Sequence, residues 1–211
     1  FEGEKTFALI EEIRALAKTY YGDEYLLAGE SASTYDLMDT ITKDNDRVNL
    51  IAIGAVFLVL LLSMKSLSIP VILVLAIETA IWINLSVPYF TNDFVFYIAY
   101  LIISSVQLGA TVDYAILLTS RFKEELGYND NKFEAMQAAI KHSGGSIMTS
   151  ALSFFSATIG VGVISQLELI GSLCSLMSRG AIISMFMIIF ILPGLLLVFE
   201  PVIRKTSKGF E

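Results

Sequence analysis

Polar positions thin out abruptly after residue 47, and the rest of the chain falls into five long apolar blocks at 48–64, 69–87, 94–120, 146–165 and 172–199. Crossing a hydrocarbon layer of roughly 30 Å at about 1.5 Å per residue takes some 20 residues, and the blocks are long enough, the first barely so. The pattern predicts an all-α membrane protein with five transmembrane helices, spans A to E in chain order. Five crossings place its two ends on opposite sides of the bilayer.

The first 47 residues read differently. Phe7, Ile10, Ile13, Leu16 and Ala17 recur at helical spacing over 4–20, and Tyr20-Tyr21-Gly22-Asp23 interrupts them before a strand-like run at 25–28. Ser33-Thr34-Tyr35-Asp36 resembles a capping box, with Asp where Glu is usual, and opens a helix that continues into span A. A small α+β portion, 1–47, thus precedes a transmembrane domain, 48–211.

Composition agrees with a membrane solvent: of 211 residues 55% are hydrophobic and 17% charged, against roughly 25% charged in ordinary soluble domains. Residues 1–47 hold 11 Asp/Glu against 5 Lys/Arg, so −6 of the net −7 lies there. No basic stripe remains to displace counterions from phosphates, which sets nucleic acid aside as a partner. Cys174 is the sole cysteine, excluding an internal disulfide and a Cys-based metal site. The chain opens at Phe1 with no initiator Met and no charged leader, the look of a piece of a longer polypeptide.

Lysine and arginine in the short loops set the expected orientation. Lys65 lies between A and B, Arg121, Lys123, Lys132 and Lys141 between C and D, and Arg204, Lys205 and Lys208 after E, while the other two loops have none. The positive-inside rule then makes the C-terminus cytoplasmic and puts 1–47 outside a multi-pass cell-membrane protein. Phe122, Leu126, Phe133, Met136 and Ala139 or Ile140 predict a cytoplasmic amphipathic helix at about 121–142. Gly144-Gly145 reads as a loop break before span D, the Gly160 and Gly162 pair as a packing face, and His142 as a solvated or headgroup-facing imidazole.

A charge inside hydrocarbon costs about 2.5 to 3.5 kcal/mol, so Glu78, Asp113 and Arg179 need an explanation. Counted by helix rise, Asp113 lies about 12 Å from the inner edge, Glu78 about 15 Å and Arg179 about 12 Å from the outer one. The matched depths make Glu78 and Arg179 a candidate ion pair pinning spans B and E. That leaves Asp113 without a cation, a carboxyl held partly protonated and so able to carry protons. Tyr114 adjoins it, and Tyr100, Gln107, Thr111 and Tyr114 fall within about 40° on a helical wheel, a supporting polar stripe along span C. Gly109 and Ala110, one turn away, leave room for another helix or for water, with plain helix packing as the alternative. Neither a metal site nor a cofactor is indicated.

Gly109-Ala110-Thr111-Val112-Asp113-Tyr114-Ala115-Ile116, with Thr119-Ser120-Arg121-Phe122-Lys123-Glu124-Glu125 behind it, resembles the RND superfamily, in its MMPL branch. Ala28-Gly29-Glu30-Ser31-Ala32-Ser33-Thr34, Arg179-Gly180-Ala181-Ile182-Ile183-Ser184 and Leu192-Pro193 extend the likeness along the chain. The resemblance implies a five-helix bundle of the RND and sterol-sensing-domain type, spans A to E as helices eight to twelve, with 1–47 as the α+β remnant of an extracytoplasmic porter domain. It further implies that Asp113 and Tyr114 form half of a mid-membrane proton relay, which drives export of lipids, amphiphiles or drugs by the proton-motive force. Helix seven and the N-terminal half with the relay's partner residues would lie outside this chain. A sterol-sensing-type lipid-binding regulatory module and a protein-export accessory subunit of the SecD/SecF kind share the architecture and stand as alternatives. Intramembrane aspartyl proteolysis would need two embedded aspartates, and only Asp113 lies in a span.

Overall fold

The computed structural model describes residues 4–91, 95, 97–129 and 131–206. Its helices are α1 (Glu4–Tyr21), α2 (Glu30–Met64), α3 (Ser68–Thr91), α4 (Tyr97–Leu126), α5 (Lys132–Ile164), α6 (Glu168–Phe186) and α7 (Leu192–Thr206), with a π-helical turn, Met187–Ile191, between the last two. The chain divides into two compact units, Phe1–Val48 and Asn49–Glu211. Five helical stretches are long and apolar enough to cross a bilayer: Glu30–Met64, Ser68–Thr91, Ile102–Leu126, Lys132–Ile164 and Glu168–Thr206. The protein is a multi-pass membrane protein built from helices. The expected start of span C at Phe94 and the cation Lys208 lie outside the described residues.

In the first unit α1 lies along the opening turns of α2. Arg14 Nη2 pairs with Asp36 Oδ2 at 2.7 Å, the Tyr35 hydroxyl donates to Glu11, and the Phe7 and Tyr35 rings stand 5.5 Å apart. Arg14 stabilises the ionised form of Asp36 by hydrogen bond and charge, holding that carboxyl below its ordinary range. Gly22 ends α1 in the left-handed region, φ 64°, and its N–H reaches the Lys18 carbonyl at 3.0 Å, a closure a side chain would strain. Two expectations are corrected here. Residues 25–28 form no strand, and no strand occurs among the described residues, because a lone extended run has no second segment to share a hydrogen-bond ladder. The expected α+β remnant is therefore two helices joined by an irregular segment over 22–29. Nor does Ser33 open α2: the helix begins at Glu30, and the Ser33 N–H is already committed to the Gly29 carbonyl at 2.9 Å.

The second unit is organised around α3, which buries side chains from Ile69 to Asn84, and packs on α4, α6 and the last span. Leu60 of α2, Leu73 and Ile77 of α3, Leu118 and Phe122 of α4, Ile147 of α5, and Ile188 and Leu192 of the last span form one apolar core. The amphipathic helix expected at 121–142 is not a separate element. Arg121 to Leu126 complete α4, a turn closes through the Gly127 N–H on Glu124 and the Asn129 N–H on Glu125, and Lys132 begins α5. Asn131 caps that helix, its Oδ1 accepting from the Phe133 N–H at 3.0 Å. Gly144-Gly145 makes no break; α5 runs through both, since Gly144 is buried against neighbours that packing keeps helical. In the last span the π turn lies just ahead of Pro193, whose missing N–H cannot continue a regular ladder.

Candidate functional site

The helical period splits the polar residues of α4 between two faces. Gln107 and Thr111 are buried, 4% and 1% exposed, Tyr114 is half-buried, and Asp113 points away from the bundle on the exposed face. Gly109, one turn before Asp113, and Leu117, one turn after it, are exposed on the same face. Space around Gly109 is open, with nothing within 4 Å of where a Cβ would stand.

The buried face carries a polar network joining three helices. Asn84 Nδ2, from α3, donates to Gln107 Oε1 at 2.8 Å and to the Leu176 carbonyl at 3.0 Å. Gln107 Nε2 in turn donates to Ser184 Oγ of α6 at 3.0 Å, with the Gly180 carbonyl at 3.4 Å. Thr111 Oγ1 stands 2.9 Å from the same Ser184 hydroxyl and 2.7 Å from the Gln107 carbonyl. Arg179 closes the network on α3, Nε donating to Asn84 Oδ1 at 2.9 Å and Nη2 to the Asn84 carbonyl at 3.2 Å. Only glycine fits at 180, because a Cβ there would stand 2.7 Å from both Asn84 Nδ2 and Gln107 Oε1. Beside the network a narrow cavity of 10 Å³, bordered by Gln107, Thr111, Tyr114 and Phe154, is at the lower limit for one water.

The structure does not bring Glu78 and Arg179 together. Arg179 is engaged on Asn84, six residues or about 9 Å farther along α3, while Glu78 is 7% exposed and its Oε1 has no hydrogen-bond partner. Helix rise sets the depth of a residue but not its direction around the axis, so equal depths did not make a pair. The expected stripe also divides: Gln107 and Thr111 join the network, Tyr114 borders the cavity, and Tyr100 stays 45% exposed. Asn84 was the residue missed, and its signal was present, an isolated amide in an otherwise apolar run. Gly180 and Ser184 were part of a motif and acquire their roles only through contact.

At the end of the bundle where α4 gives way to α5, Glu125 and Glu200 act as ionic hubs. Glu125 Oε1 lies 3.2 Å from Arg121 Nε and 4.0 Å from His142 Nε2, linking α4 to α5. Glu200 takes Arg204 at 2.6 Å and Lys132 at 3.7 Å, linking α7 to α5. No cluster of three or more His, Cys, Asp or Glu with metal-holding geometry occurs among the described residues.

A membrane bundle with an outward-facing mid-span carboxylate and a polar network joining three helices has sequence relatives. The family model described as MMPL family matches residues 2–208. The chain belongs to the MMPL family. It is thus a membrane protein of an RND-type transporter family. The Streptomyces coelicolor membrane protein SCO0839 is 31% identical over 169 residues, 78% of this chain and 23% of that protein. The apo-petrobactin exporter of Bacillus anthracis is 40% identical over 63 residues, 30% of this chain and 8% of its own length. The trehalose monomycolate exporter MmpL3 of Mycolicibacterium smegmatis is 28% identical over 142 residues, 65% of this chain and 14% of its own length. This MMPL chain therefore spans less than a quarter of the length of these relatives.

Proposed function

We propose that this MMPL chain is the second-half membrane domain of an exporter for lipids or other amphiphilic molecules, driven by the proton-motive force, with Asp113 and Tyr114 as its share of the proton relay. The observation that carries the reading is the placement of Asp113, exposed on α4 in the middle of an apolar span. A carboxylate there is too costly to leave against lipid tails, so its face belongs against another polar, helix-bearing surface. Gly109 in open space on the same face lets a helix approach closely. The outward face of α5 adds Ser146, Ser150, Ser153 and Ala157, all exposed and at a spacing that suits close helix packing. The N-terminal half of the same transporter is the partner this geometry fits.

Names of relatives support the export role, one being an apo-petrobactin exporter and another a trehalose monomycolate exporter. The orientation that suits proton entry has 1–47 outside and the C-terminus in the cytoplasm. Protons then enter from outside, neutralise Asp113, and change how α4 packs against the other half; each charge moved across 100 mV supplies about 2.3 kcal/mol. The test is efflux of a fluorescent amphiphile from vesicles holding the full-length transporter under an imposed proton gradient. Asp113→Asn abolishes gradient-dependent efflux while the protein still folds and inserts; efflux at the parent rate in that variant would overturn the relay.

A further inference from the structure

Glu78 is the one carboxyl of α3, and the proposed relay does not use it. It lies ten residues, about 15 Å, from the start of α3 at Ser68, deep within a span. Its neighbours one turn away on α3 are Val74, Leu75, Ile81 and Trp82, none of which offers a hydrogen bond through an oxygen or nitrogen facing it. The carboxyl is 7% exposed and Oε1 makes no hydrogen bond.

Among the described residues, the charged and titratable groups at comparable depth on the helices packed against α3, and the charged pair on α7, are directed elsewhere. Arg179 on α6 holds Asn84, Asp113 on α4 faces outward, Tyr114 borders the small cavity, and Glu200 and Arg204 on α7 pair with each other. The segment of α2 from Val48 to Met64 has no ionisable residue at all. Among the described residues the carboxyl meets no cation and its buried oxygen meets no donor, so this packing suits the neutral, proton-bearing form of Glu78 better than the ionised one.

We propose that Glu78 is a second proton-binding site of the transporter, on a different helix from Asp113 and loaded in the conformation described here. The proposal rests on the proton-driven reading of the protein. A neutral Glu78 suits the present packing of α3, and an ionised one does not; loss of the proton therefore favours a state in which α3 has shifted and water or a cation reaches the carboxyl. Protonation favours the present state, so low pH on the side that reaches Glu78 populates it and high pH depletes it. The bond balance is simple: the proton leaves the carboxyl oxygen for water and returns to it, with no other bond made or broken.

The test uses the full-length transporter in proteoliposomes under an imposed proton gradient, comparing the parent with Glu78→Gln, Glu78→Asp and Asp113→Asn. Gln keeps the shape and neutrality of the protonated side chain, so a packing role survives it and a proton-carrying role does not. Glu78→Gln is expected to lower gradient-driven efflux at least tenfold, and to remove a carboxylic-acid carbonyl band from the infrared spectrum at neutral pH that Asp113→Asn retains. Glu78→Asp is expected to keep efflux with a displaced pH profile. Parent-like efflux and an unchanged pH profile in Glu78→Gln would overturn the proposal, as would an unchanged profile in Glu78→Asp should the Gln variant fail to accumulate. Retained efflux in Asp113→Asn alone sinks the Asp113 relay and leaves Glu78 standing.

Discussion

The two faces of α4 carry polar groups under opposite conditions. On the buried face every amide and hydroxyl of Gln107 and Thr111 meets a partner from α3, α4 or α6, and the close fit reaches the backbone at Gly180. On the outward face Asp113 stands exposed beside Gly109 and Leu117. The amides and hydroxyls of that network are satisfied internally, since an unmade hydrogen bond there costs free energy, whereas the buried Thr119 hydroxyl two turns farther along α4 has no partner. A carboxylate left open at the same depth stabilises nothing in this bundle. The difference separates a device that holds the helices in register from a group available for proton chemistry.

Substitutions on the two faces should therefore give opposite phenotypes. Asp113→Asn has the largest functional effect, loss of gradient-driven efflux, with thermal stability changed by no more than about 0.5 kcal/mol because the side chain is exposed. A large drop in melting temperature would place Asp113 in the structural class instead. Asn84→Ala does the reverse: it takes the donor from Gln107 Oε1 and the acceptor from Arg179 Nε, costing up to about 3 kcal/mol in thermal or denaturant unfolding. Gly180→Ala forces a Cβ to within 2.7 Å of two amide atoms, for about 1 to 3 kcal/mol of overpacking, read in the same melts. Stability equal to the parent in both would mean the network is not what sets the helix register.

The smallest effect is expected at the exposed Arg14–Asp36 pair of the first unit. The native carboxyl of Asp36 is held below its ordinary value, so its contribution is complete above about pH 4, the unfolded value, and is lost as pH falls through the depressed native one. Asp36→Asn should lower amide-exchange protection of α1 slightly at neutral pH, to the level the parent reaches in acid, and remove the pH dependence between them. A large neutral-pH loss of protection would assign that pair a bigger role than an exposed ion pair usually has.

Much of the bundle was legible from hydropathy alone. The span at 69–87 falls inside α3, that at 146–165 runs one residue past the end of α5 at Ile164, and α2 ends at Met64 where span A was expected to end. Apolar runs of that length within a bilayer satisfy their backbone as membrane helices. Legibility failed wherever a local signal had to compete with packing. Gly144-Gly145 stayed helical, Ser33 lost its capping role to a helix begun one turn earlier, and 25–28 lacked a strand to pair with. Each local signal was real, and each was weaker than the hydrogen bonds and contacts supplied by neighbouring turns.

What the amino-acid order determined by itself was the number of apolar helices, the depth of Glu78, Asp113 and Arg179 along them, and the concentration of acidic charge before residue 48. Those are one-dimensional quantities, functions of residue type and of a fixed rise per residue. What only the tertiary structure decided was direction: that Gln107 and Thr111 turn inward to Asn84 and Ser184, that Arg179 reaches the Asn84 amide, and that Asp113 turns out. Rotation of a helix about its own axis is set by the shapes of the helices packed against it, with Gly180 allowing the closest approach.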